Sequence, residues 1–208
     1  MTDRHEFETV GSRTIFEGAI LTLRQDEVTM PGGDVVTREV VEHFGAVAVA
    51  ALDANGKLVM IHQYRHAVGQ RLLELPAGLL DIADEDPLTA AKRELAEETG
   101  LGAQTWSVLV DIALSPGFTD EALRIFLAEG LFEVERPDPE GEEADLVLVH
   151  KDIDEAVRGT FDGSIVNATA VAGVLALAAA RATDATLRAP DAPWPGRPTA
   201  LHERKARQ

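Results

Sequence analysis

The stretch from Asp86 to Gly100 constrains this chain more than any other part of it. Asp86 can serve as a helix N-cap, and Pro87 suits the first helical position, where its missing N–H costs nothing. Gly100 supplies the left-handed residue that ends a helix. Between them, Leu88, Ala91 and Leu95 form an apolar stripe. Glu94, Glu97 and Glu98 stand at i, i+3 and i+4 and project from one side of the same helix. Adjacent anions repel one another, and a divalent cation turns that repulsion into ligation. Glu98 adjoins the apolar stripe and is expected to point into the crevice between helix and sheet. Arg93, one turn before Glu97, is placed to pair with it. A solvated acidic face is the ordinary reading of a Glu-rich helix, so the surroundings have to decide.

Those surroundings are mostly strands. Pro31-Gly32-Gly33-Asp34 marks a hairpin turn between Leu21–Met30 and Val35–Val41, within short strands running from about Glu6. Ala46–Leu52 is small and apolar, as a central strand should be, and Asp53-Ala54-Asn55-Gly56 turns it into Leu58–Tyr64. Leu73 to Gly78 is a strand that runs into a Pro/Gly loop. Beyond the helix, strands are expected at Trp106–Ile112, Ala122–Ala128 and Leu146–His150, with an acidic loop at Glu133–Asp145. Short helices close the pattern at Asp152–Arg158 and from an Asn167 cap to about Ala182. Strands early and helices late predict a mixed sheet covered by helices.

Composition narrows the chemistry. The chain has 208 residues and no cysteine, which excludes disulfides, cysteine–zinc sites and thiol nucleophiles and points to a reducing cytoplasm. Its net charge of −17 argues against nucleic acid as a partner. The N-terminus has no signal-type apolar core, and the longest apolar run, Ala168–Ala180, falls short of the roughly 20 residues that span a bilayer, so no membrane partner is expected. His43, His62 and His66 match no zinc spacing and read as structural.

Gly78, Glu85 and the run Arg93-Glu94-Leu95-Ala96-Glu97-Glu98-Thr99-Gly100-Leu101 closely resemble the box of the Nudix hydrolases. In that box a glycine, a glutamate and an R-E-U-x-E-E-x-G-U run follow at set spacings, with U an apolar residue. Glu85 comes one residue late after Gly78 and Asp84 takes its nominal place, which leaves the role of Glu85 open. The wider chain is similar to the ADP-ribose pyrophosphatase branch, of the actinobacterial type. The segments that carry this likeness are Thr37–His43, Gln63-Tyr64-Arg65-His66, Glu74-Leu75-Pro76-Ala77-Gly78, Ser115–Glu121 and Gly141–Asp145.

The resemblance implies an α/β Nudix fold, a mixed β-sheet sandwiched between helices, with an N-terminal antiparallel β extension. The expected bounds are 1–42 for N-terminal strands that dimerise, 43–188 for the hydrolase domain and 189–208 for a flexible, proline-rich tail. It implies hydrolysis of ADP-ribose to AMP and ribose 5-phosphate, and a homodimer with exchanged N-terminal strands. The alternatives are another nucleoside diphosphate-linked substrate, such as an ADP-sugar, NADH or a dinucleoside polyphosphate, or a non-catalytic binding module. The Ala77 carbonyl, Glu94, Glu97 and Glu98 would hold Mg2+, with Mn2+ as a substitute. Arg93, Glu97 and either Glu142 or Glu143 would be catalytic. Arg38, Glu39, Arg65, Glu74, Gly78, Gly117 and Phe118 would bind substrate. Each has a plainer reading: a cross-strand charge pair for Arg38 and Glu39, a surface arginine for Arg65, an ordinary turn for Pro116-Gly117 and loop solvation for Glu142-Glu143.

Overall fold

The computed structural model describes residues 5–136 and 145–207. Contacts divide the chain into two compact units, one of residues 1–45, 113–122 and 196–208, the other of 46–112 and 123–195.

The first unit is an antiparallel meander. Strands β1 (Thr9–Glu17), β2 (Leu21–Thr29) and β3 (Val35–His43) lie side by side in that order. The hairpin signal holds: Gly32 and Gly33 take positive φ angles of 107° and 94°, which a side chain would resist. β1 is exposed along almost its whole length. On β2 and β3 a polar network is buried. Glu42 accepts bonds from Arg24 Nη1 at 2.6 Å and from Arg204 Nε at 2.6 Å, while Arg24 also holds Asp26 at 2.9 Å.

The second unit is layered. Among the described residues its sheet has seven strands. The main path is β10 (Val147–Lys151), β5 (Leu58–Arg65), β4 (Ala46–Leu52), β9 (Ala122–Glu133) and β8 (Leu101–Ala113). Two shorter strands, β6 (Gln70–Glu74) and β7 (Ala77–Leu79), pair with β5 and β4. β4 runs parallel to β9 and antiparallel to β5 and β7, so the sheet is mixed. All of β4 is buried, as a small apolar strand with no polar alternation must be, and it therefore needs cover on both faces. On one face Val47, Val49, Ala51 and Phe126 share a core with Ala90, Ala91 and Leu95 of helix α1 (Pro87–Thr99). Ile125, whose side chain alternates to the other face, meets Gly173 of α3 (Ala168–Thr183), which packs with α2 (Ile153–Asp162). The expected α/β/α sandwich is therefore present.

The caps of α1 are those its sequence announces. Asp86 accepts from the backbone N–H groups of Leu88 and Thr89 at 3.0 and 3.1 Å, and Gly100 is left-handed with φ 69°. Strands β8 and β9 run longer than their apolar cores suggested, because pairing carries them past the buried segment.

The C-terminal stretch differs from expectation. Rather than a flexible tail, residues 189–207 are held by side chains whose partners lie far away in sequence. Buried Arg124 binds Asp111 through two bonds and donates to the carbonyls of Ala192 and Pro193, with Trp194 stacked on its guanidinium at 4.9 Å. Val108 bonds the carbonyl of Arg188, which covers the outer edge of β8. A short helix α4 (Ala200–Lys205) buries Leu201 and packs on β3.

Hydrogen bonds from Arg204, acting against burial, hold the Glu42 carboxyl below the usual carboxylate range. A group depressed in this way contributes stability that is full above its unfolded value and is lost as pH falls towards the folded one. The stability advantage of the natural chain over Glu42→Gln is therefore expected to shrink on acidification below about pH 4.5. Urea unfolding of both proteins across that range measures it; a difference independent of pH would show that the network does not rest on the ionised carboxylate.

Candidate active site

The second unit places the helix carboxylates against β7. Glu94 and Glu98 are buried, at 9% and 3% exposure, on the same face of α1 as Ala90, Ala91 and Leu95. Glu98 accepts a hydrogen bond from the Ala77 N–H at 2.9 Å. Glu94 lies flat on the next residue. A Cβ at Gly78 would fall 1.9–2.4 Å from the Glu94 carboxyl atoms, so only glycine admits this carboxylate. The glycine of the strand–loop–helix pattern is thus a cradle for an acid rather than a turn.

Arg93 organises the remaining charges. It grips Glu85 with two bonds, at 3.0 and 2.9 Å, and donates from Nη1 to Glu94 at 2.6 Å and to Glu97 at 3.0 Å. The bond to Glu85 and the nearby charge of Glu94 raise the guanidinium pKa, so Arg93 stays charged at every relevant pH. Glu85, not Asp84, therefore fills the glutamate position of the pattern. The extra residue is absorbed where Asp84 adopts a left-handed backbone, φ 62°, which aspartate tolerates better than most side chains. No residue count could reveal this, since the slack is taken up by one dihedral angle. At the far end of the helix, Arg136 donates to the Glu97 carbonyl at 2.8 Å, a cation on the negative pole of α1.

On the neighbouring hairpin, Arg65 at the end of β5 binds buried Glu74 of β6 through two bonds of 3.0 and 2.7 Å. The hairpin register brings these residues together. Glu74 thus orients Arg65, whose side chain remains 40% exposed. Gln63, two residues before Arg65, is buried, and among the described residues its Oε1 has no hydrogen-bond partner. The remaining expected substrate residues lie in the first unit. Arg38 and Glu39 are exposed on β3, opposite Asp26 and Gln25, and Gly117 and Phe118 are exposed in the loop from Ser115 to Glu121. Glu142 and Glu143 lie outside the described residues.

The donor set suits a hard divalent cation. Glu94 and Glu98 supply carboxylate oxygens on one helix face, and the bare backbone at Gly78 leaves room that a side chain would fill. Among the described residues no group of three or more acidic or histidine side chains already converges as a metal cage. Glu94 is instead held by Arg93. Such a set suits a hard divalent cation that takes few protein carboxylates and keeps water or phosphate in the rest of its shell.

Removing the Arg93 guanidinium would leave Glu85, Glu94 and Glu97 facing one another. Arg93→Ala is expected to cost roughly 2 kcal/mol, less than a fully buried pair because about a quarter of Arg93 meets water. Urea unfolding in the presence of a chelator checks this, and a change within about 0.5 kcal/mol would mean the three carboxylates are already screened.

The comparisons with known proteins agree with this geometry. Residues 42–156 match the family model described as NUDIX domain, and residues 7–41 match the nucleoside diphosphate sugar hydrolase N-terminal domain. The chain is 55% identical over 202 residues to an ADP-ribose pyrophosphatase of Mycobacterium tuberculosis, covering 97% of this chain and 98% of that protein. It is 39% identical over 153 residues to a methanol dehydrogenase activator of Bacillus methanolicus, covering 74% and 82%. Among solved structures, one described as an ADP compounds hydrolase superposes with a TM-score of 0.75 at 19% identity, covering 88% of this chain and 98% of that one, and shares the fold. With its glycine cradle, its arginine-bound glutamates and its layered sheet, the chain belongs to the Nudix hydrolase family.

Proposed function

We propose that this protein is an ADP-ribose pyrophosphatase, splitting ADP-ribose into AMP and ribose 5-phosphate with the help of Mg2+. The observation that carries the reading is the Glu94–Gly78 and Glu98–Ala77 arrangement, taken with 55% identity to an ADP-ribose pyrophosphatase over nearly the whole chain.

A diphosphate repels the water that must attack it, and bound Mg2+ would neutralise phosphate charge and acidify that water. The chain's own residues set the stage. Glu94, Glu98 and the Ala77 carbonyl would hold the cation, and the bare backbone of Gly78 makes room for the Glu94 carboxylate there. Glu97 is more exposed than Glu94 and is placed to contribute a further ligand or to take a proton. Arg93 holds Glu94 and Glu97 in line. Arg65, oriented by Glu74, is the cation that would meet a phosphate oxygen. Arg38, Glu39, Gly117 and Phe118 would contact the nucleoside side of the substrate. Phe118, 57% exposed, offers a ring on which a base can stack.

A second reading has its own support. The N-terminal match names nucleoside diphosphate sugars as a class, so a related sugar nucleotide is the rival substrate. Assay of ADP-ribose, ADP-glucose, NADH, diadenosine polyphosphates and nucleoside triphosphates with Mg2+ decides between them. The highest kcat/KM should belong to ADP-ribose, and a larger value for another member would transfer the assignment to it. Glu98→Gln should lower turnover by a factor on the order of a thousand with the fold intact.

The protein is further proposed to work as a cytoplasmic homodimer with exchanged N-terminal strands. β1 supports this: it is an edge strand exposed on both faces, and Val10, Ile15 and Phe16 are about half exposed. Subunits carrying Glu98→Gln, mixed with subunits carrying Arg38→Ala, should regain activity that neither has alone. A fully active monomer in sedimentation would overturn the exchange.

A further inference from the structure

We propose that Arg204, on the C-terminal helix, is a positioning residue for the substrate loop Ser115–Glu121. The proposal rests on the reading of Gly117 and Phe118 as substrate contacts. All the groups involved lie in the first unit.

The loop has no sheet of its own. It is docked on the outer edge of β3 by three hydrogen bonds. Val41 N–H donates to the Phe118 carbonyl at 2.7 Å, Asp120 N–H donates to the Val41 carbonyl at 3.1 Å, and His43 N–H donates to Asp120 Oδ1 at 2.8 Å. Val41 and Thr119 form a parallel bridge as a result. The aspartate of the loop therefore acts on backbone, fastening the strand end.

Between the two anchoring residues sits Glu42. Its backbone faces β2, where it pairs with Thr22, and its side chain is 2% exposed. Arg204 clamps that carboxylate from α4 with two bonds, 2.6 Å from Nε and 2.9 Å from Nη2, and its Nη1 reaches Thr14 of β1 at 2.9 Å. One guanidinium thus ties β1 and β3 to α4. The helix is seated independently of that clamp. Leu201 is fully buried, His202 packs on Phe44, and Lys205 bonds the Gly18 carbonyl at 3.2 Å. Gly45, with φ +78° and Pro198 3.1 Å from where its Cβ would lie, lets the tail come this close.

A fork held on a buried carboxylate fixes the pitch of residues 41–43, and with it the three bonds that hold the loop. Lysine at 204 would keep the charge but lose the fork. The C-terminal helix, which carries none of the carboxylates of α1, would in this way set affinity for substrate rather than the chemical step.

The test compares the natural protein with Arg204→Gln and Arg204→Lys, using amide hydrogen exchange and ADP-ribose kinetics. In Arg204→Gln, protection at Val41, His43 and Asp120 should fall while that of α1 holds. KM should rise about fivefold or more with kcat within about twofold, and Arg204→Lys should fall between. Unchanged protection at those amides would overturn the brace. Phe118→Ala separates the two ideas. If it leaves KM unaltered, the reading of the loop as a substrate contact fails. If it raises KM while Arg204→Gln does not, the positioning role fails.

Discussion

The contact between helix α1 and strand β7 sets the terms for the rest of the protein. Burying two carboxylates costs several kcal/mol each before compensation. The bond from Ala77 N–H to Glu98 returns only about 1.5–3 kcal/mol. The cap of α1 adds about 1 kcal/mol more. Helix propensity and capping alone would not hold these acids against a sheet. The apolar core beneath them has to, through Ala90, Ala91 and Leu95 against Val47, Val49 and Phe126. A β4 strand buried on both faces is what that core requires.

Charge follows from the same constraint. The chain is strongly acidic, yet its reading as a phosphate-binding enzyme is consistent. Arg93 is shared among Glu85, Glu94 and Glu97, so among the described residues three carboxylates draw on one guanidinium, an arrangement that favours a cation. Arg65 illustrates the complementary design. Its cation is steered by buried Glu74 but stays partly in water, where an anionic ligand can reach it. Elsewhere, arginines serve assembly: buried Arg124 fastens residues 192–193 to β9, and half-buried Arg204 fastens α4 to β3.

Much of this is legible in the sequence. The hairpin turns, the buried central strand, both caps of α1 and the side from which its glutamates project are local patterns, each fixed by residues within about one or two turns of one another. The family resemblance rested on such local runs. The tail has the prolines and charges of a flexible segment, but composition is blind to partners. Its anchors, Arg124 and Glu42, stand 68 and 162 residues from the groups they hold.

Where the helix and strands form, and that three carboxylates share one helix side, follow from local residues alone, because those outcomes depend on backbone preference and periodicity. Which partner each charged group meets depends instead on tertiary contacts between segments of the chain. Glu85 rather than Asp84 takes Arg93, since one left-handed residue absorbs the insertion. Gly78 proves to be a cradle, because packing of β7 on β4 brings its backbone under Glu94. Asp120 anchors a strand end, and Glu42 receives an arginine from the far terminus. Register and layer packing set these distances, and neither is written in any single stretch of chain.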